Sequence, residues 1–188
     1  MVKTATSEIL ALLRKGNRAA FRSRELAALL GNKNYTKIVL HRLKERGEVK
    51  MVKRGWWAFP DAMPQEIACQ ISRPSYVSFF SALNMHGLTT QIPGIVQLAV
   101  CRNAKSYEIK GEKVKEYKVK KRDFNNFVLN DGILLATPEK AFADCLNVPK
   151  TASKSILVEA IENIDLEKVK PLLSPSGLKR LKKLIKHA

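Results

Sequence analysis

Two short amphipathic segments near the start of the chain, 24–30 and 34–46, each end on a glycine and are separated only by the polar turn Gly31-Asn32-Lys33. Gly31 and Gly47 supply the left-handed stops that close helices, while Ser23 and Asn34 stand where side-chain oxygens can cap the first turns. Ahead of this pair, residues 4–13 place Ile9, Leu10, Leu12 and Leu13 at helical spacing until Gly16 and Asn17 interrupt the pattern. Behind it, Val49 and Met51 alternate with Glu48 and Lys50, and Arg54-Gly55 turns the chain into the aromatic run Trp56-Trp57-Ala58-Phe59. Three helices with a tight turn before the third, followed by a two-stranded hairpin, predict a winged helix-turn-helix over residues 1–60. Alternation along the last strand predicts one tryptophan in the core and the other over the third helix.

Charge then selects a partner class. The chain of 188 residues has a formal net charge of +17, from 34 Lys and Arg against 17 Asp and Glu. Residues 1–60 hold 14 of the cations and 4 of the acids, a net +10, which leaves +7 for the remainder. Such an excess favours a polyanion. A membrane is not the expected one, because no apolar run approaches the roughly 18 residues that spanning requires. The first residues carry Glu8 within their apolar stretch and lack a small-residue cleavage site, so they do not read as a signal peptide and a cytoplasmic location is expected. Cys69, Cys101 and Cys145 are odd in number and widely spaced, as free thiols of a reducing compartment are.

On a helical wheel of the third helix, Val39, Leu40 and Leu43 share one side. Asn34, Lys37, His41 and Glu45 lie opposite, with Arg42 and Lys44 on the flanks and Ile38 also near the open side. Asn suits adenine edges, and Lys or Arg suits guanine. Lys33 and Asn34 at the start of this helix, with Lys37, His41, Arg42 and Lys44, are therefore the expected DNA-contacting set. Lys50, Lys53 and Arg54 of the wing and Arg22, Ser23 and Arg24 at the second helix are expected to hold phosphates. Double-stranded DNA is the expected partner, and no catalytic group, cofactor or metal site is expected, since phosphate loops, nucleophile–base pairs and ligand clusters are missing from the sequence.

Pro60, Asp61 and Pro64 mark a connection, and the domain boundary is read at residue 61. Beyond it the pattern is mixed α/β, so the whole chain reads as α+β: a winged helix, then a small sheet with C-terminal helices. Residues 75–86 are expected as a helix and 95–100 as a buried strand. Two basic strands joined near Gly111 are expected over 102–122, where nine Lys and Arg face three glutamates and offer a second surface for DNA. Asp131-Gly132 predicts a tight hairpin between 127–129 and 133–136, for a sheet of about four or five strands. Thr137-Pro138-Glu139 opens another helix, and 153–187 reads as helical apart from breaks at Pro171 and Pro175, its final helix being 177–188. His86 and Gly87 read as a helix end, and Asp144 as a tether for a nearby cation or amide.

Two motifs in this half carry a resemblance. The segments Ser72-Arg73-Pro74-Ser75-Tyr76-Val77-Ser78-Phe79-Phe80-Ser81-Ala82-Leu83-Asn84-Met85-His86-Gly87-Leu88 and Ala136-Thr137-Pro138-Glu139-Lys140-Ala141-Phe142-Ala143-Asp144 resemble signatures of the AbiEi-type antitoxins, regulators of type IV toxin–antitoxin systems. The resemblance covers most of the chain, since that family also carries a winged helix before a mixed α/β domain. It implies an autorepressor that binds inverted repeats at its own promoter. It further implies that residues 61–188 form an antitoxin domain counteracting a nucleotidyltransferase-like toxin, and leaves open whether the two touch.

An enzymatic alternative is a metal-dependent nuclease of the restriction-endonuclease type. Glu108-Ile109-Lys110 and Glu116-Tyr117-Lys118 each set Glu and Lys on one face of a strand. That chemistry also needs an acid on the preceding strand to share Mg²⁺, and 95–100 contains none.

Overall fold

A computed structural model describes residues 2–15 and 18–186, with side chains from residue 8 onward. The expected helix break at Gly16 and Asn17, and His187 and Ala188 at the end of the last helix, lie outside the described residues. The chain divides into two compact units, Met1–Arg73 and Pro74–Ala188.

The first unit begins with α1 (Val2–Arg14), whose Leu10 and Leu13 join Phe21, Leu26, Val39, Leu40, Leu43, Val49, Trp57 and Phe59 in one core. β1 (Ala20–Arg22) leads directly into α2 (Ser23–Leu30), and α3 (Lys33–Glu45) follows across Gly31, whose φ of 66° is the left-handed stop that glycine adopts without a Cβ clash. β2 (Lys50–Lys53) and β3 (Trp56–Ala58) form a hairpin through Arg54 and Gly55.

The expected two-stranded wing is in fact a three-stranded antiparallel sheet in the order β1-β3-β2, with Phe21 opposite Trp57. β1 has too few residues to show a period of two, and only its pairing with β3 makes it a strand. The expected alternation also fails at Met51. Val49, just ahead of β2, is fully buried whereas Met51 within it is 57% exposed, and the register shifts between Met51 and Lys53.

Both cap assignments are corrected. Arg22, not Ser23, precedes α2, and Glu25 accepts the Arg22 amide at 2.6 Å. The Ser23 hydroxyl instead accepts from the Trp57 indole at 2.9 Å. α3 is capped by Asn32, whose Oδ1 accepts from the amides of Asn34 and Tyr35 at 2.9 and 3.0 Å. Asn34 is thereby a first-turn residue with its own side chain exposed.

The boundary read at residue 61 falls inside the first unit, because the segment after it returns to that core. Pro64 starts α4 (Pro64–Ile71), which buries Ile67 and Ala68. The carboxamide oxygen of Gln70 accepts from the amides of Ala19 and Ala20 at 3.0 and 2.9 Å, satisfying donors just ahead of and at the start of β1.

In the second unit, the helix expected over 75–86 is two elements. β4 (Ser75–Val77) runs between β5 (Val96–Val100) and β9 (Ile133–Ala136), and only then does α5 (Phe79–Met85) begin. Phe79 sits at φ 58°, a costly conformation for a bulky residue, where the chain turns sharply from strand to helix. β6 (Ser106–Ile109), β7 (Glu112–Lys118) and β8 (Phe127–Asn130) complete the sheet. It has six strands in the order β6-β7-β5-β4-β9-β8, more than expected because β4 lies within the segment whose pattern predicts a helix. Asp131 and Gly132, at φ 46° and 81°, make the expected tight turn between β8 and β9.

α6 (Pro138–Asn147), α7 (Lys154–Ile161), α8 (Leu166–Val169) and α9 (Pro175–Ile185) follow. Pro171 lies in a short 3₁₀ turn, and Pro175 opens α9 rather than interrupting a helix. Gly177 of α9 sits against the Asn147 side chain, whose Oδ1 accepts the Ser174 amide at 2.8 Å and whose Nδ2 donates to the Leu172 carbonyl at 2.9 Å. An alanine Cβ would collide with that oxygen. Gly177→Ala is therefore expected to destabilise the chain by about 1–3 kcal/mol despite alanine's better helix propensity, as thermal unfolding would register.

Candidate nucleic-acid interface

α3 buries Thr36, Val39, Leu40 and Leu43 and leaves Lys33, Asn34, Lys37, Ile38, His41, Arg42, Lys44 and Glu45 exposed. A groove of about 850 Å³ runs beside it, bordered by α2 and β2. Lys33, Lys37, His41 and Lys44 line it from one flank of α3, Ser23 and Arg24 from α2, and Met51 from β2, over a floor that includes Leu40 and Trp57. The expected contact residues thus fall into two sets. Ser23, Lys33, Lys37, His41 and Lys44 come together in this groove. Asn34 is on the outward side of α3, Arg42 on its other flank, and Lys50, Lys53 and Arg54 are exposed on the β2–β3 hairpin.

Among the described residues, no acid lines the groove and no ion pair engages Arg24, Lys33, Lys37 or Lys44. Glu25, the acid of α2, is spent elsewhere. It pairs with Arg18 at 2.7 Å and accepts the Arg22 amide. Partial burial pushes its pKa upward, but the Arg22 amide and the Arg18 guanidinium outweigh that and hold the carboxyl below its ordinary value. The cations of the groove therefore favour an anionic partner along a concave, partly apolar surface.

Arg22 and Trp56 are arranged otherwise than expected. The Arg22 guanidinium lies 4.6 Å from the Trp56 ring centroid, so Trp56 is a platform for a β1 cation, while Trp57 is the core tryptophan. Met51 was missed as a groove residue because simple alternation pairs it with the inward Val49. Val49 instead lies ahead of β2, so the two do not share a strand face.

Two acids of the second unit, Glu116 and Asp144, occupy structural positions. Glu116, 4% exposed, accepts from Arg102 through both carboxylate oxygens at 2.7 and 2.9 Å and from the Lys105 amide at 3.0 Å. Lys110 lies in the β6–β7 turn at φ 52°, off the strand that carries Glu108. Among the described residues, no group of three or more His, Cys, Asp or Glu stands close enough to hold a metal.

Asp144 and Lys140, each 1% exposed, form an ion pair at 2.7 Å along α6. Tyr76 and Ser78 donate their hydroxyls to the other Asp144 oxygen at 2.9 and 2.7 Å. Burial raises the Asp144 pKa, and the Lys140 ammonium and the two hydroxyls offset this only in part. His86 ends α5 and donates from Nε2 to the Ala136 carbonyl at 2.7 Å.

The chain is thus a mixed α/β protein with, among the described residues, nine α-helices and two sheets. None of those helices is long and apolar enough to cross a membrane. No family model matches the sequence, and comparison with curated proteins finds no match. The fold is similar to that in the crystal structure of the RV2827C protein from Mycobacterium tuberculosis, with a TM-score of 0.64 at 16% identity, over 97% of this chain and 76% of that one. At that identity the likeness concerns the fold.

Proposed function

We propose that the first unit is a winged helix-turn-helix that binds double-stranded DNA, and that the chain is a sequence-selective transcriptional regulator. The observation that carries this reading is the flank of α3. Lys33, Lys37, His41 and Lys44 share one groove with Arg24, no acid among the described residues lines it, and the exposed Lys50, Lys53 and Arg54 belong to the adjoining hairpin. In this reading α3 enters the major groove, the only DNA groove wide enough for a helix, and the hairpin rests on the backbone. Arg22 and Ser23 at the start of α2 meet the phosphate through their side chains in this reading, since their amides are held by Glu25 and the Gly55 carbonyl.

The test is a titration of the full chain against DNA upstream of its own gene, with unrelated duplex as competitor. Saturable binding that survives competitor is expected. Binding indifferent to sequence would overturn the regulator.

The resemblance of the second unit to AbiEi-type antitoxins extends the proposal to autorepression at inverted repeats and to relief of a nucleotidyltransferase-like toxin. Co-expression with an adjacent gene of that type is expected to relieve growth arrest through residues of the second unit. Continued arrest would remove the antitoxin role and leave the DNA-binding one standing.

A further inference from the structure

Ile38 is the apolar member of a helix side that is otherwise polar. Successive residues turn α3 by about 100°, which sets Asn34, Ile38, His41 and Glu45 opposite the buried Thr36, Val39, Leu40 and Leu43. Ile38 is 49% exposed. A β-branched residue on a solvated helix side forgoes some helix propensity and leaves apolar surface in water. A single exposed apolar side chain is ordinary on protein surfaces. The position of this one is what matters, one turn after Asn34, three residues before His41, and between flanks that carry Lys37 and Lys44 on one side and Arg42 on the other. Such flanks favour a polyanion on the side of the helix where Ile38 stands at the middle.

On the major-groove edges of the base pairs, the one apolar group is the 5-methyl of thymine. An isoleucine facing those edges makes a favourable contact there, and against guanine, adenine or cytosine it covers polar atoms that lose water without gaining a partner. We propose that Ile38 is a specificity residue that reads the 5-methyl group of a thymine in the recognised duplex, an inference that rests on the DNA-binding reading above. Asn34 stands about 6 Å away along the helix axis, within roughly two base steps, and is placed for an adenine beside that thymine.

The full chain is used to select its preferred duplex from a random-sequence library. Each thymine of that duplex is then replaced in turn by deoxyuridine, which removes the methyl and leaves every base-pair hydrogen bond intact. At one or two thymines the exchange is expected to weaken binding by roughly three- to fivefold, the value of one buried methyl-sized group. The same exchange is expected to cost Ile38→Ala nothing, while that variant keeps the thermal unfolding midpoint of the parent chain. Deoxyuridine tolerated at every thymine within experimental error overturns the role of Ile38 and leaves DNA binding intact, as does an equal loss in the parent and in Ile38→Ala. Failure of any sequence to emerge from the library overturns the selective regulator and this inference with it.

Discussion

The triple variant Lys33→Glu, Lys37→Glu, Lys44→Glu is expected to lose at least about 100-fold in affinity for duplex DNA near 0.1 M salt. Hydrogen bonds to charged groups are each worth roughly 1.5–3 kcal/mol, and reversal adds repulsion from the phosphates. All three residues are exposed, so the fold should be preserved. Single exchanges separate their tasks. Lys53→Ala on the hairpin is expected to weaken binding to all sequences alike and to lower the salt slope by about one. Lys37→Ala with His41→Ala is expected to reduce discrimination between sequences more than it reduces binding to random duplex. A triple variant that binds like the parent would move DNA off α3 altogether. The alternative surface would then be the basic β6–β7 hairpin, where Lys113, Lys115 and Lys118 are exposed.

The largest expected loss of stability follows from Asp144→Ala. The substitution leaves the Lys140 ammonium in a site where it is 1% exposed and strips the Tyr76 and Ser78 hydroxyls of their acceptor. Removing one partner of a buried ion pair costs about 3–5 kcal/mol. Against a total of roughly 5–15 kcal/mol for a typical domain, that loss threatens the folding of the second unit. The double variant Lys140→Met, Asp144→Leu is expected to be more stable than Asp144→Ala, because no charge is then left buried alone. Chemical denaturation followed by circular dichroism reads both effects. A loss under about 1 kcal/mol for Asp144→Ala would mean that water reaches the pair, contrary to its burial.

The pair is buried where β4 meets α6. Tyr76 and Ser78 come from β4 and the residue after it, and Lys140 and Asp144 from successive turns of α6. The Tyr76 ring also stacks on Phe127 of β8 at 4.8 Å between centroids. The segments 72–88 and 136–144 therefore meet in one polar cluster of Tyr76, Ser78, Lys140 and Asp144. Of the expected structural tethers, Asp144 is the one whose partners the sequence could not name in full. Lys140 is one helical turn away, but Tyr76 and Ser78 are more than sixty positions distant.

The sequence by itself determined the elements whose causes are local. Gly31 and Gly47 end α2 and α3, Asp131-Gly132 turns β8 into β9, Thr137-Pro138 starts α6, and the 3.6-residue period divides α3 into a buried and a cationic side. Each is decided by φ preference, capping or periodicity within a few residues. Tertiary structure alone decided β1 and β4, both too short to carry a period, which become strands because Trp57, Val100 and Leu135 offer backbone partners far along the chain. It also decided which oxygen caps each helix, since the indole of Trp57 claims Ser23 and Asn32 takes the place expected of Asn34. The cationic side of α3 was legible from the start. That Lys33, Lys37, His41 and Lys44 share a groove with Arg24 and Met51 was settled by the packing of α2 and β2 beside it, which no local preference encodes.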